Sequence, residues 1–145
     1  MDKAAMQKAV RRIYPQAEIL SARQFRQGLM NRTYDVSLQS PKRHIIFRVY
    51  PRQSWKAKKE QYLYGLVKRC ADVPVPDVLA VGDDYSILTK VSGHPLPLDD
   101  ASLVSKAGRC LAKLHAVKFP SFGWIVGRKI APKFSSWEKF MLYDT

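Results

Sequence analysis

The chain has 145 residues, a formal net charge of +13 and 46% hydrophobic residues. This composition is that of a globular chain and excludes a disordered one, and the length supports one core, or one core and part of a second. No apolar run approaches the roughly 18 residues of a membrane-spanning helix, and no signal-peptide pattern opens the chain, so we expect a cytoplasmic protein without a membrane partner.

The first part of the chain predicts a helix followed by three strands. An amphipathic helix ends before Pro15. Strand-forming residues occupy 18–26, 33–38 and 44–50, and hairpin-length connections separate them. These features predict an antiparallel meander.

The hydrophobic period changes after Pro51 from two residues to about 3.6, which predicts a helix over 55–70. One apolar stripe of this helix is expected to pack on the sheet: Leu63, Leu66, Val67 and Cys70. Further strands are predicted over 77–81 and 85–91. Asp99 or Asp100 is expected to cap a helix that reaches about residue 117. Its expected buried face is Leu103, Ala107, Leu111 and Leu114.

The last 28 residues are rich in large aromatic side chains: Phe119, Phe122, Trp124, Phe134, Trp137 and Phe140. This is too many aromatics for a solvated tail, yet the segment is too short for a core of its own, so it needs a packing partner. The two cysteines lie in apolar helical patterns without further ligands at metal spacing. We therefore expect Cys70 and Cys110 to be buried free thiols.

The positive charge is concentrated between Lys42 and Arg69, where nine basic side chains accompany a single acid. Most of them can form the solvated face of the predicted helix. The alternative is a non-catalytic basic α+β domain that binds nucleic acid or another polyanion. Few aromatics interleave with the basic block and no nucleic-acid motif is present, which disfavours this alternative.

Three features combine into one hypothesis about chemistry. The loop from Gly28 to Asn31 could aim backbone N–H groups at a phosphate, although most such hairpin loops are only turns. Arg48 is a charged residue inside an otherwise apolar strand and needs an acidic partner. Glu60 lies on the helix face that packs against the sheet. In this order the features are typical of kinase phosphate sites, while the alternative is a plain ion pair.

Six segments together resemble the aminoglycoside phosphotransferase and choline kinase-like family, over residues 18 to 123. The segments are Gln-Gly-Leu-Met-Asn-Arg-Thr-Tyr-Asp-Val, Ile-Ile-Phe-Arg-Val-Tyr, the lone Glu60, Val-Pro-Val-Pro-Asp-Val-Leu, Ile-Leu-Thr-Lys-Val-Ser-Gly-His-Pro-Leu and Leu-Ala-Lys-Leu-His-Ala-Val. The resemblance implies an α+β, protein-kinase-like small lobe. It comprises a five-stranded antiparallel sheet with one packed helix, an N-terminal helix and the first helix of the large lobe.

The resemblance also implies a site for ATP with Mg²⁺. Gly28 and Asn31 match the family's phosphate loop, Arg48 matches its phosphate-binding cation, and Glu60 matches the acid that positions that cation. The adenine is expected at the hinge, where Lys90 and Val91 offer backbone hydrogen bonds. The expected apolar walls of the adenine site are Val36 and Ile46. The chain departs from the family pattern at three positions: Gln27, Met30 and Lys90.

The family's catalytic loop, His-Gly-Asp followed five residues later by Asn, does not occur in the 145 residues. We therefore expect residues 1–91 to be the ATP-binding lobe and 92–145 to be the hinge and the start of a truncated large lobe, inactive alone. The acceptor, a small molecule with a hydroxyl group, would bind the missing lobe. A fragment with exposed apolar surface is expected to self-associate.

Overall fold

A computed structural model describes residues 2–26 and 30–143. Its elements in chain order are α1 (Lys3–Arg11), β1 (Ile19–Gln24), β2 (Arg32–Leu38), β3 (Arg43–Val49), α2 (Trp55–Cys70), β4 (Val78–Val81), β5 (Tyr85–Thr89), α3 (Ala101–His115), β6 (Phe122–Val126), β7 (Lys129–Phe134) and α4 (Trp137–Tyr143). The predicted order of elements is confirmed through α3. The β6–β7 hairpin and α4 had no counterpart in the sequence-based prediction.

The first five strands form one antiparallel sheet in the order β1-β2-β3-β5-β4. β3 is the central strand because, after the crossover through α2, it is β5 and not β4 that pairs with β3. The expected five-stranded antiparallel sheet with a packed helix is therefore confirmed.

The hydrophobic core lies on the face of the sheet that α1 covers. Three buried α1 residues, Met6, Ala9 and Val10, join apolar side chains of β1, β2, β3 and β5 in one cluster. The Gln7 side chain fastens α1 to β1, because it donates to the Ala17 carbonyl (2.7 Å) and accepts from the Ile19 N–H (2.9 Å). Alternation along β3 then directs every second side chain away from this core.

The stripe predicted for α2 is only half buried, and Cys70 is exposed. The helix ends at Cys70, and the next residue, Ala71, is the buried one. The expectation of buried thiols is therefore wrong for Cys70, while Cys110 is partly buried. Both cysteines are free.

Asp100 caps α3 as predicted, since its side chain accepts from the Leu103 N–H at 3.0 Å. The predicted buried face of this helix is wrong: Leu103, Ala107 and Leu111 are exposed, and Leu114 is half buried. No residue of α3 is fully buried within the described ranges, because no described element covers its apolar side.

The C-terminal aromatics pack mainly on one another. The ring centroids of Trp124 and Phe140 are 5.6 Å apart, and those of Phe134 and Phe140 are 5.7 Å apart. Gly123 has a φ of 142° and lies so close to β7 that a Cβ would be 2.0 Å from the Pro132 carbonyl oxygen. Trp124 and Trp137 keep 40% and 53% of their surface exposed, so this small cluster is not a closed core.

None of the helices in the described part of the chain is both long and apolar enough to cross a membrane.

Candidate functional site

The site is built on the sheet face opposite the α1 core. Because Ile45, Phe47 and Val49 point into that core, the intervening β3 residues Ile46 and Arg48 point to the other face. Across the sheet, Arg48 is paired with Thr33 on β2 and with Ser86 on β5.

Arg48 forms an ion pair with Glu60 of α2, as the sequence pattern predicts. Arg48 Nη1 donates to Glu60 Oε1 at 2.5 Å, and the two side chains are 24% and 20% exposed. Burial alone would lower the pKa of Arg48, but the Glu60 carboxylate and the neighbouring Tyr64 raise it above its ordinary value. The guanidinium is therefore a permanent cation at this position.

Tyr50 holds the Glu60 carboxylate from the sheet side. Its hydroxyl donates to Glu60 Oε2 and lies 2.9 Å from Ser86 Oγ. Tyr50 is 1% exposed and Ser86 is fully buried. Burial and the adjacent carboxylate raise the pKa of Tyr50, so the phenol remains a hydrogen-bond donor. The sequence analysis assigned no role to Tyr50 or to Ser86, and only the β3–β5 pairing brings Ser86 near.

A second charged cluster occupies the hinge end of the same face and is centred on Asp35, which sequence reasoning missed. Lys90 Nζ donates to Asp35 Oδ2 at 2.8 Å, His44 Nδ1 lies 2.8 Å from Oδ1, and Arg23 Nη2 lies 3.9 Å from Oδ2. Asp35 is 7% exposed. Burial raises its pKa, but the hydrogen bonds from Lys90 and His44 outweigh burial and leave the pKa lowered.

The expected apolar walls of an adenine site separate onto two faces. Ile46 lies on the Arg48 face beside Leu88 of β5. Val36 is fully buried in the α1 core, because it pairs with Ile45. The expectation for Val36 is therefore wrong, and Asp35 is the β2 residue opposite Ile46. Val91, two residues beyond the end of β5, is 66% exposed.

Gly28 lies outside the described residues, together with Gln27 and Leu29. Asn31 is described, at the entrance of β2, where it lines a cavity of about 510 Å³ with two arginines, Arg32 and Arg52. The residues that line this cavity include neither Arg48 nor Glu60. Gln53 also lines it, and its Oε1 is buried without a hydrogen-bond partner. The cavity therefore offers positively charged and amide groups beside the β1–β2 connection.

No group of three or more His, Cys, Asp or Glu side chains that could hold a metal ion occurs in residues 2–26 and 30–143.

Comparisons with known proteins agree with this architecture. A family model described as "Phosphotransferase enzyme family" matches residues 21–143. Similar solved structures include aminoglycoside phosphotransferase APH(4)-Ia, with a TM-score of 0.69 and 16% identity over 98% of this chain and 50% of that chain. They also include APH(2")-IIa in a ternary complex with streptomycin and ATP, with a TM-score of 0.59 and 16% identity over 83% of this chain and 42% of that chain. The gentamicin complex of APH(2")-IIa has a TM-score of 0.61 at the same identity and coverage.

The chain thus spans about half the length of these solved structures. A search of curated protein sequences gave no match. The likeness to the solved structures concerns the fold, which is that of a kinase-like small lobe with the elements that follow it.

Proposed function

The chain belongs to the phosphotransferase enzyme family, and we propose that it forms the nucleotide-binding lobe of an ATP-dependent small-molecule phosphotransferase. In this proposal the full-length enzyme transfers the γ-phosphoryl group of ATP to a hydroxyl group of its acceptor. The observation that carries the proposal is the Arg48–Glu60 ion pair between β3 and α2.

The ion pair suits phosphate binding because it leaves donors free. A guanidinium has five N–H donors in one plane; the contact with Glu60 engages one terminal nitrogen, and Tyr64 is a second hydrogen-bond partner. The donors that these two residues leave are available to phosphate oxygens. Phosphoryl transfer depends on positioning and charge stabilisation, so a cation anchored through Glu60 and Tyr50 needs no reorganisation when the nucleotide binds.

The loop and the hinge complete the proposed nucleotide site. We assign Gly28 and Asn31 to phosphate contacts, and the backbone of Lys90 and Val91 to hydrogen bonds with the adenine. Ile46 supplies apolar surface for the base. ATP as the cofactor is supported by the ternary complex of the APH(2")-IIa structure, whose description includes ATP.

The proposed division of the chain is a nucleotide lobe over residues 1–91, followed by a hinge and the start of a larger lobe over 92–145. The exposed apolar side of α3 supports this division, because a further part of the larger lobe would cover it. That part would also hold the Mg²⁺ ligands, the catalytic Asp and the acceptor pocket. We expect the 145-residue chain to be inactive alone and to reside in the cytoplasm, where ATP is available.

Nucleotide binding by the chain itself is the direct test. Isothermal titration with Mg²⁺-ATP should give saturable binding, and thermal unfolding should show a higher Tm with the nucleotide than without it. Arg48→Ala and Glu60→Ala should each weaken binding about tenfold or more. The control is Lys42→Ala, which removes an exposed cation from the β2–β3 turn. Absence of ATP binding, or equal binding by Arg48→Ala and the control, would contradict the proposal. Salt-sensitive binding of random duplex DNA in its place would favour a polyanion-binding domain.

The reading frame beyond codon 145 offers an independent test of the parent enzyme. An active phosphotransferase requires the His-Gly-Asp loop followed by Asn in that region. A frame that continues without this loop would refute the proposed catalytic activity while leaving nucleotide binding by residues 1–91 open to the titration.

A further inference from the structure

A group of basic side chains lies away from the nucleotide face, around a cavity of about 790 Å³ between α2, β4 and the β6–β7 turn. Three cations line the cavity: Lys58 and Arg69 from α2, and Arg128 from the turn. Gln61 and Tyr62 add hydrogen-bonding groups, and none of the described residues that line the cavity is an Asp or a Glu. None of the three cations forms a salt bridge with a described residue.

The geometry of α2 separates this cavity from the proposed nucleotide site. Lys58, Tyr62, Gly65 and Arg69 follow helical spacing along one side of α2. Glu60 is two residues beyond Lys58, about 200° around the helix, and therefore lies on the opposite side. A ligand in the cavity would not contact the Arg48–Glu60 pair.

Gly65 gives Arg69 room to lie across the helix. A Cβ added at Gly65 would be 3.3 Å from Arg69 Nη1, which is closer than ordinary van der Waals contact. The guanidinium therefore folds back over the glycine, one helical turn before its own position, and into the cavity wall. A glycine costs helix stability at an interior position, and here its absent side chain leaves space for a cation.

The neighbouring basic residues of α2 are already engaged elsewhere. Lys68 is bonded to Asp77, and Lys56 and Lys59 lie over the Trp55 ring at 6.0 and 5.4 Å from its centroid. A nucleic-acid duplex would require a continuous track of available cations, whereas here they surround one concavity.

We propose that this cavity is a binding site for a small anion that carries two or more adjacent phosphate groups. Three uncompensated cations in one concave site create a focused positive potential, which favours a compact multivalent oxyanion over a single negative charge. The proposal does not depend on nucleotide binding by the Arg48 site.

Pyrophosphate is a suitable probe because it is the smallest such anion. In NMR titrations of the 145-residue chain, the amide signals of Lys58, Gly65 and Arg128 should shift saturably, with tighter binding of pyrophosphate than of inorganic phosphate. Arg48→Met removes any phosphate binding at the nucleotide site. The Kd for pyrophosphate in the cavity should be unchanged in this variant, because Arg48 does not line the cavity. Shifts spread evenly over exposed basic residues, or shifts only around Arg48, would overturn the proposal.

Charge-matched variants sharpen the test. Arg69→Ala/Arg128→Ala should weaken pyrophosphate binding at least about tenfold, whereas Lys42→Ala/Lys106→Ala removes two charges outside the cavity and should change the Kd less than about twofold. Gly65→Ala removes no charge and moves the Arg69 guanidinium by only a few tenths of an ångström, so its Kd should change less than that of the double variant that removes both arginines. Equal effects of the two double variants, or tighter binding of duplex DNA than of pyrophosphate by the same residues, would refute a small-anion site.

Discussion

The Tyr50 hydroxyl is hydrogen-bonded to the Glu60 carboxylate, so a buried residue directly after β3 anchors the acid that pairs with Arg48. Ser86 joins the same hydroxyl from β5. The proposed phosphate-binding cation is thereby connected to the rigid centre of the sheet as well as to the helix. The side chains of Arg48, Tyr50, Glu60 and Ser86 thus form one polar unit.

Tyr50→Phe should therefore reduce both stability and nucleotide binding. The variant keeps the ring and deletes the hydroxyl, which leaves Ser86 Oγ and Glu60 Oε2 with only the long 3.5 Å hydrogen bond to each other, so the free energy of unfolding should fall by about 1–2 kcal/mol. Urea denaturation measures this change. The matched control is Tyr14→Phe, which deletes a hydroxyl that accepts from exposed Arg43 and should cost less. A cost at Tyr50 no larger than at Tyr14 would contradict the anchoring role.

Arg48 and Glu60 should be energetically coupled. In a double-mutant cycle with Arg48→Met and Glu60→Gln, each single change removes one partner of a mostly buried pair. Residual solvent exposure screens the interaction, so we expect a coupling energy of about 1–3 kcal/mol. Thermal or urea unfolding of the four proteins supplies it. Additive effects, with coupling near zero, would show that the two charges do not stabilise one another.

Asp35 should make stability fall at acidic pH. Its pKa is lower in the folded chain than the ordinary value of 3.8, so the ionised carboxylate stabilises the fold above that value. This contribution is lost as the pH falls through the folded-state pKa. Asp35→Asn should lower stability at neutral pH by about 1–3 kcal/mol and flatten the acid limb. Urea unfolding at pH 2 to 7 tests this, and parallel curves for the two proteins would exclude the role of Asp35.

Gly123→Ala should disrupt the β6–β7 hairpin. A Cβ at Gly123 would overlap the Pro132 carbonyl oxygen, and the φ of 142° is strained for any side chain. We expect a loss of at least about 1–3 kcal/mol, read from hydrogen exchange of the hairpin amides. Gly108→Ala is the contrasting variant, because a Cβ at Gly108 meets nothing within 4 Å. This substitution should stabilise α3, since alanine favours a helix more than glycine does. Unchanged hairpin protection in Gly123→Ala would be inconsistent with the close approach.

The exposed apolar side of α3 should cause the isolated chain to self-associate. Leu111 and Val104 keep 52% and 40% of their surface exposed on this helix. Light scattering should show a mass that increases with concentration, and Leu111→Glu/Val104→Glu should shift the chain toward monomer. A concentration-independent monomer would rule this out.

Local patterns predicted most of the secondary structure correctly. The helix over 55–70 matches α2 at both ends, and the Asp100 cap is as expected. The wrong predictions concern which residues and elements pack against one another. Val36 is apolar, as a residue in the wall of an adenine site should be, but its pairing with Ile45 directs its side chain into the core. The α3 stripe has the pattern of a buried face, yet burial requires a covering element, and no pattern within the helix can supply one.

Which residues carry charge inside apolar elements, and which face of β3 Arg48 occupies, can be predicted from the sequence, because side-chain alternation is a property of neighbouring residues. Which groups meet those charges depends on how the elements pack together. Ser86 reaches Tyr50 because β5 pairs with β3, and Lys90 reaches Asp35 although 55 positions separate them. Such contacts depend on strand order and register, which arise from packing the whole sheet and are not encoded in any single segment.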